Sequence, residues 1–350
     1  VEKKTAQMKQ YPKVAVVILN WNGRFFLEKF LPYVYNSTYP NIEFVVGDNA
    51  STDDSVAFVA THYPAIRLIC NTENLGFAGG YNEVLKQVDA DYYVLLNSDV
   101  EVTPNWIQPV VEWLESRPDM AAAQPKIHAF HQRDHFEYAG AAGGFLDSYG
   151  FPFCRGRILH ETEQDTGQYD DPREVFWASG AALFIKRSCW EAEGGFDADF
   201  FAHMEEVDLA WRLRRAGYRI GYCPHSVVYH VGGGTLNTSN PKKTYLNFRN
   251  SLYVLQKNLP VSRAIWVLFA RMWIDLVALI HFVLLGKLRD AWAISRAHQH
   301  FFLNFMKTAR KRRAYPSAFR QSGLYRGSIV WAFYVRGKKE FRKLNPKRFL

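Results

Sequence analysis

The chain has 350 residues, 48% of them hydrophobic and 16% aromatic, with a formal net charge of +9. This suffices for one large domain with an appendage, or for two domains. The four cysteines, Cys70, Cys154, Cys189 and Cys223, lie far apart with no CxxC pair, which excludes a zinc site and a small disulfide framework and suits a reducing, cytosolic setting.

The opening segment VEKKTAQMKQYPK is charged and has no apolar core, so no signal peptide is expected. VAVVIL (14–19) is a short apolar run that predicts a buried strand. Phe26, Phe30, Leu31 and Val34 then recur at helical spacing. IEFVVGD (42–48) predicts a second strand. A helix follows from Ser51 to His62, with Ser51 or Thr52 as its cap and Asp53 and Asp54 in its first turn. IRLIC (66–70) and YYVLLN (92–97) are the third and fourth strands, and GFAGGYNEVLKQV between them is a glycine-rich turn with a helix. Pro104 opens another helix, to about Ser116. Residues 128–175 read as loops with short strands, a length that points to a lid or specificity segment. VFWASGAALFIKR (175–187) predicts a strand with a turn inside it. MEEVDLAWRLRRAGY is an amphipathic helix stopped by Gly217, and RIGYCP and SVVYHVGGG are two more short strands. From Pro241 the pattern is helical to the end.

Alternating β and α units of this size predict an α/β fold around a mostly parallel sheet covered on both faces. Such sheets bind ligands at the carboxyl ends of their strands. That rule singles out Asn20-Trp21-Asn22, Asp48-Asn49, Cys70 to Asn74, and Asn97-Ser98-Asp99.

The positive charge is a C-terminal property. Residues 303–350 hold 14 Lys or Arg and one acid, Glu340, while the remainder carries 29 basic and 33 acidic side chains. Just before this tail, residues 264–286 (AIWVLFARMWIDLVALIHFVLLG) are long enough to span a bilayer. They contain Arg271, Asp275 and His281, and charges are costly at the bilayer centre. Arg271 and Asp275 are spaced to pair along a helix. The segment therefore reads as a helix lying in a membrane interface, ahead of a spanning helix or a soluble core helix. Phe319, Tyr325, Trp331, Phe333, Tyr334 and Phe341 interleave the basic tail and suit an anionic headgroup surface. No nucleic-acid motif accompanies them.

Several residues carry candidate chemistry. Asp99 sits at a strand mouth, where it could bind a divalent metal with help from Asn97 or Ser98, or cap the next helix. Asp48 ends a strand as a ligand acceptor or a turn residue. Gly76, Gly79 and Gly80 at a helix entry allow close approach of a phosphate, without the P-loop ending or the dinucleotide spacing. His230 is a metal ligand or a structural histidine. Glu205, Glu206 and Asp208 crowd one helix start, as macrodipole-stabilised capping acids or as a base with its neighbours.

In their order, the motifs NWNG, GDNASTDDS, ENLGFAGGYN, LLNSDV, WASGA, MEEVDLAWR and VVYH, over about residues 12–235, resemble family-2 glycosyltransferases of the GT-A fold. The likeness is greatest to bacterial rhamnosyltransferase-type members. It implies a catalytic domain over 1–240, while the helical, basic, aromatic-rich and membrane-associating region over 241–350 resembles the family only loosely. It implies that Asp48 contacts the nucleotide base, with the backbone of Leu19 and Asn20. Asn74, Gly76 and Asn82 would line the donor pocket. Asp99 fills the last position of the family's Asp-x-Asp motif, whose earlier positions are here Asn97 and Ser98. With His230 it would hold Mg2+ or Mn2+. Trp177, Ser179 and Gly180 match the segment bordering the donor diphosphate and the acceptor. Glu206 matches the base, where many relatives have Asp, and Glu205 the acid beside it. Asp208 would support the base, and Arg212 the donor side.

The implied activity is inverting transfer from a nucleotide sugar, with dTDP-rhamnose the donor suggested. The acceptor would be a lipid-linked or cell-surface glycan, reached from the cytoplasmic face of the inner membrane. The alternative reading is a non-catalytic nucleotide-sugar-binding or scaffold protein. The absent dinucleotide fingerprint sets a dehydrogenase aside.

Overall fold

The computed structural model describes residues 11–232, 240–313 and 322–350. Residues 1–10, on which most of the signal-peptide reading rests, and Phe319 lie outside the described residues. The first half alternates as expected: β1 (Val14–Asn20), α1 (Arg24–Tyr35), β2 (Ile42–Asp48), α2 (Ser55–His62), β3 (Arg67–Cys70), α3 (Gly76–Leu85) and β4 (Tyr92–Asn97). The strands run parallel in the order β3-β2-β1-β4. Alternate residues bury on opposite faces. Val17 and Leu95 pack with Tyr81 and Val84 of α3, while Val16, Ile18 and Leu96 pack in the core with Leu27 and Leu31 of α1. Burial on both faces accounts for the unbroken apolar runs in these strands. The register sets Asn20 beside Asp48 and Leu19 beside Asn97, so the polar strand ends share one edge.

The second half completes the sheet by a mixed route. β5 (Val100–Val102), α4 (Ile107–Glu115) and β6 (Met120–Ala129) come first. A small second sheet is built from β7 (Gly144–Asp147), β8 (Pro152–Cys154), β9 (Arg157–Ile158) and β10 (Glu161–Thr162). β11 (Arg173–Val175), β12 (Ala182–Lys186), α5 (Arg187–Glu193), α6 (Glu205–Arg215) and β13 (Arg219–His230) return to the main sheet. β12 lies antiparallel between β4 and β6, and β13 runs parallel to β6. RIGYCP and SVVYH are therefore one strand, with a register irregularity between Cys223 and Val227 rather than a break.

Three local expectations shift. The helix expected from Ser51 begins at Ser55, because Ser51 and Asp53 tie the loop to the start of α1: the Ser51 Oγ accepts from the Asn22 N–H at 2.9 Å, and the Asp53 carboxylate from the Arg24 N–H at 3.0 Å. The helix expected at Pro104 begins at Ile107. The chain is not helical from Pro241 to the end. After α7 (Pro241–Asn258), α8 (Val261–Leu284), α9 (Leu288–Leu303) and α10 (Phe305–Arg310), β14 (Leu324–Tyr325) pairs parallel to β7, and α11 (Ile329–Tyr334) follows. The Asp147 carboxylate accepts from the Ile329 N–H at 2.8 Å, and Phe341 and Phe349 pack against Phe145, the first tilted and the second edge-to-face.

Arg271 and Asp275, the charges within the apolar segment, face inward from α8. Arg271 Nε lies 3.2 Å from Asp275 Oδ1, its Nη1 donates to the Tyr149 carbonyl at 3.1 Å, and its Nη2 donates to Ser251 Oγ at 2.8 Å. His298 Nε2 of α9 reaches Asp275 Oδ2 at 3.1 Å. The other side of α8 exposes Trp266, Phe269, Trp273, Val277, Ile280 and Leu284. By length and composition alone, α8 is the one helix among the described residues that could cross a membrane.

Candidate active site

The polar strand ends form a continuous bonded rim. Asn20 Nδ2 donates to Asp48 Oδ1 at 3.1 Å, and Asp48 Oδ2 accepts from the Ser51 N–H at 2.8 Å. Leu19 lies against Gly80, where a Cβ would meet its side chain. Asn49, singled out in the sequence only as part of the strand-end turn Asp48-Asn49, organises the next turn. Its Nδ2 donates to Asn74 Oδ1 and to the Gly76 carbonyl, both at 3.0 Å, and its Oδ1 accepts from Asn71 and the Leu75 N–H. Gly76 has φ +71°, and a Cβ there would come within 2.5 Å of the Phe201 carbonyl. Only glycine lets the two loops meet so closely.

At the mouth of β4, His230 joins the acids. Its Nε2 lies 3.1 Å from Asp99 Oδ1 and 3.4 Å from Asn97 Nδ2, and its Nδ1 lies 3.2 Å from Glu137 Oε2. Burial pulls this imidazole down, but the carboxylates of Asp99 and Glu137 outweigh it and hold its pKa well above the usual value. The arrangement fits a divalent cation in one respect: a carboxylate and a ring nitrogen converge, and a second carboxylate sits on the ring's far side, as is usual behind metal-bound histidines. Among the described residues no cluster of three or more potential ligands is present. Hard cations that take most of their oxygens from phosphate and water require few protein groups. Ser98 lies near Gly23, whose added Cβ would approach its Oγ to 3.6 Å.

The segment before β12 borders this rim. The Asn97 N–H donates to the Ala181 carbonyl, and the Ser179 N–H to Gln124 Oε1 at 2.9 Å. Gly180 faces Phe77. Trp177 is buried, with its Nε1–H on the Phe145 carbonyl at 2.9 Å, so it ties the main sheet to the small one.

The acidic helix α6 is launched from a strained loop. Phe201, His203 and Met204 have φ of 65°, 69° and 72°. Each left-handed non-glycine residue costs about 1–3 kcal/mol, and such strain persists only where surroundings impose it. Here α7 imposes it. Asn250 Nδ2 lies 2.9 Å from the carbonyls of Phe200 and Ala202 and 2.7 Å from that of His203, while Arg249 Nη2 reaches those of Asp199 and Phe200.

The three acids then diverge. Glu205 is buried and Glu206 partly open. Burial pushes the Glu206 carboxyl up to about 7. Deeper burial, together with the charge of Glu206, raises Glu205 well above the usual range. One buried oxygen of each, Oε2, has no hydrogen-bond partner. Orphaned buried carboxyl oxygens are rare enough to need a reason, and an absent ligand supplies one. Glu206 borders Ala178, next to Trp177 and Ser179. Asp208 has a different fate. Burial would raise it, but Lys257 and Arg212 outweigh burial and bring it to about 2. Its carboxylate accepts from Arg212 Nε at 2.9 Å, Lys257 Nζ at 2.9 Å and Asn258 Nδ2 at 2.8 Å.

Two expected donor residues are engaged elsewhere. Arg212 donates to the carbonyls of Glu193 and Gly195 at 2.7 Å each. Asn82 exchanges both side-chain bonds with the backbone of Phe196, at 2.8 and 2.9 Å. Both hold the GGFD turn in front of the strained loop. Asn74 and Gly76, by contrast, stand at the rim with Asn20, Asp48, Asn97 and Asp99. Glu137, Asn250 and Lys257 were not legible in the sequence, where no local signal marks them.

Residues 15–177 match the family model described as glycosyl transferase family 2. The chain is 29% identical over 233 residues to the N-acetylglucosaminyl-diphospho-decaprenol L-rhamnosyltransferase of Mycobacterium tuberculosis, covering 61% of this chain and 75% of that protein. It is 26% identical over 241 residues to the O-antigen biosynthesis protein RfbC of Myxococcus xanthus, covering 67% of this chain and 18% of that one. Among solved structures it is similar to the mannosyltransferase PcManGT from Pyrobaculum calidifontis in complex with GDP-Man and Mn2+, with TM-score 0.52 and 18% identity over 85% of this chain and 76% of that one. It is also similar to GalNAc-T7 with UDP, GalNAc and Mn2+, with TM-score 0.56 and 16% identity over 71% of this chain and about half (48%) of that one. The fold is thus of GT-A type.

Proposed function

We propose that this chain is a family-2 glycosyltransferase of rhamnosyltransferase-like type, which moves a sugar, with inversion, from a nucleotide-sugar donor to a hydroxyl of a polyprenyl-diphosphate-linked glycan. The observation that supports this reading is the unpartnered Oε2 of the partly open Glu206 carboxyl at the start of α6, beside the segment that leads from Trp177 to β12, in a fold whose polar strand ends gather Asn20, Asp48, Asn97 and Asp99. The rim offers acceptors to a nucleotide base at Asp48 and a close backbone approach at Gly76. A divalent cation, Mg2+ or Mn2+, held by Asp99 and His230 supplies positive charge against the leaving diphosphate. Glu206 removes the proton of the attacking hydroxyl. Glu205 stays protonated beside it, which leaves the negative charge on Glu206. Asp208 fixes the helix on which both stand.

The donor is read as dTDP-rhamnose and the acceptor as an N-acetylglucosaminyl-diphospho-lipid, on the likeness to the mycobacterial rhamnosyltransferase. The protein works from the cytoplasmic face, with α8 lying in an anionic membrane interface. Supporting this, the charges of α8 bond inward while its aromatic side is open.

A donor panel scored by thermal shift, with and without Mn2+ or Mg2+, tests the reading, since a true donor raises apparent stability. dTDP-rhamnose is expected to raise Tm most, in a metal-dependent way, and to be consumed with the lipid acceptor. Absence of transfer from every nucleotide sugar in the panel would sink it.

A further inference from the structure

One cluster at this mouth has no task in the donor and base chemistry. Tyr138 follows Glu137, the residue that touches His230, and remains 49% exposed. The guanidinium of Arg157 lies over its ring, 4.6 Å from the centroid. Arg157 itself is buried. Its Nη1 donates to the Leu159 carbonyl at 3.1 Å, its Nη2 lies 3.3 Å from Cys154 Sγ, and its Nε has no partner. The loop that carries Tyr138 runs from Glu137, which touches His230, to Gly140, where a Cβ would meet the Ser179 side chain, and Ala178 beside Ser179 lines one small cavity with Glu206.

The Tyr138 ring is thus left half open, with a buried cation fixed against it. The cation–π contact fixes the ring without covering it. Ligand sites are lined by aromatic surfaces with a few converging polar groups. A pyranose suits such a ring: one face of it presents C–H groups, and its hydroxyls radiate from the edge. The ring thus stands on the loop that joins the His230 side of the candidate site to the segment beside Glu206.

We propose that Tyr138 is the platform for the acceptor's terminal sugar, and that Arg157 is the positioning residue that fixes its ring. This deepens the glycosyltransferase reading and rests on it. The sugar lies on the open side of Tyr138, with the attacking hydroxyl turned toward Glu206.

The test uses the full chain with dTDP-rhamnose and a short-chain N-acetylglucosaminyl-diphospho-lipid, and measures KM for donor and acceptor separately. Tyr138→Ala is expected to raise the acceptor KM roughly tenfold, as for removal of a well-packed aromatic contact, with a much smaller change in the donor KM. Tyr138→Phe keeps the ring and restores the acceptor KM to within about twofold of wild type, because stacking does not use the hydroxyl. Tyr138 is half exposed, so a melting temperature near wild type shows that the alanine variant is folded. An acceptor KM unchanged in Tyr138→Ala overturns the proposal, as does an equal rise in both KM values. Failure of the wild type to transfer any sugar is a separate result, and it overturns the functional reading before any variant is compared.

Discussion

Glu137 Oε2 lies 3.2 Å from His230 Nδ1, so a carboxylate on the loop after β6 fixes the ring that ends β13. The opposite nitrogen, Nε2, is thereby turned to Asp99. A carboxylate so placed behind a histidine ring supports its orientation toward a metal. Glu137→Gln is expected to weaken Mn2+ binding about 10–100-fold, the usual effect of losing such a partner. Calorimetric titration with Mn2+ checks it without any turnover. An unchanged affinity would show that the ring needs no such support.

Glu206 governs the pH dependence. Its carboxyl is pushed up to about 7 by burial. A base acts only when ionised, so kcat should fall about tenfold per pH unit below 7 and level off above it. Glu206→Gln should reduce transfer by about 10²–10⁴-fold while donor binding survives. A profile whose acid limb breaks near 4 would assign the proton transfer to another group.

Asp208 bears on stability. It is fully buried between Arg212, Lys257 and Asn258. Removing one partner of a buried ion network costs about 3–5 kcal/mol, so Asp208→Asn should unfold at lower urea. The sign with pH follows from the lowered value of about 2. The stabilisation is complete above the unfolded carboxyl pKa of about 3.9 and is lost as pH falls toward 2. The gap between variant and wild type should therefore be widest near neutrality and should close in acid.

Asn250→Ala removes the amide that holds the carbonyls of Phe200, Ala202 and His203. Leaving buried acceptors unmet costs about 1–3 kcal/mol. The loop ahead of α6 is then free to relax its left-handed residues, and kcat should fall more than the donor KM rises. Steady-state kinetics at a temperature where the variant is folded separates this from simple instability.

Replacing Trp266, Phe269 and Trp273 together by Ser should abolish flotation with anionic liposomes and leave the melting temperature near wild type, since these side chains are exposed. Retained flotation would place membrane contact elsewhere.

The alternating half of the fold was readable because doubly covered parallel strands leave unbroken apolar runs, as in VAVVIL and YYVLLN. Asp48, Asp99 and Glu206 stand out as candidates because they sit at strand or helix ends, where polar residues interrupt such runs. β6, with its MAAAQPKIHA sequence, was missed: small residues and an internal proline hide a strand that is buried along most of its length. Asn82 and Arg212 lie within the right motifs, yet their bonds go to the backbone of the turn before α6, and a motif does not reveal its hydrogen-bond partners. Glu137 and Asn250 act across long sequence separations, to His230 and to the residues before Met204. No local pattern marks such contacts, which form only when distant elements pack.

The pairing of Leu324 with Leu146 has a mechanical consequence. It stitches the segment from Leu324 onward, with its lysines and arginines, to the small sheet that carries Cys154 and Arg157. Tail and sheet edge therefore tilt together, like a rudder and its stock. A deletion meant to remove only the tail would therefore also disturb the small sheet, and with it the loop that carries Tyr138 beside the candidate site.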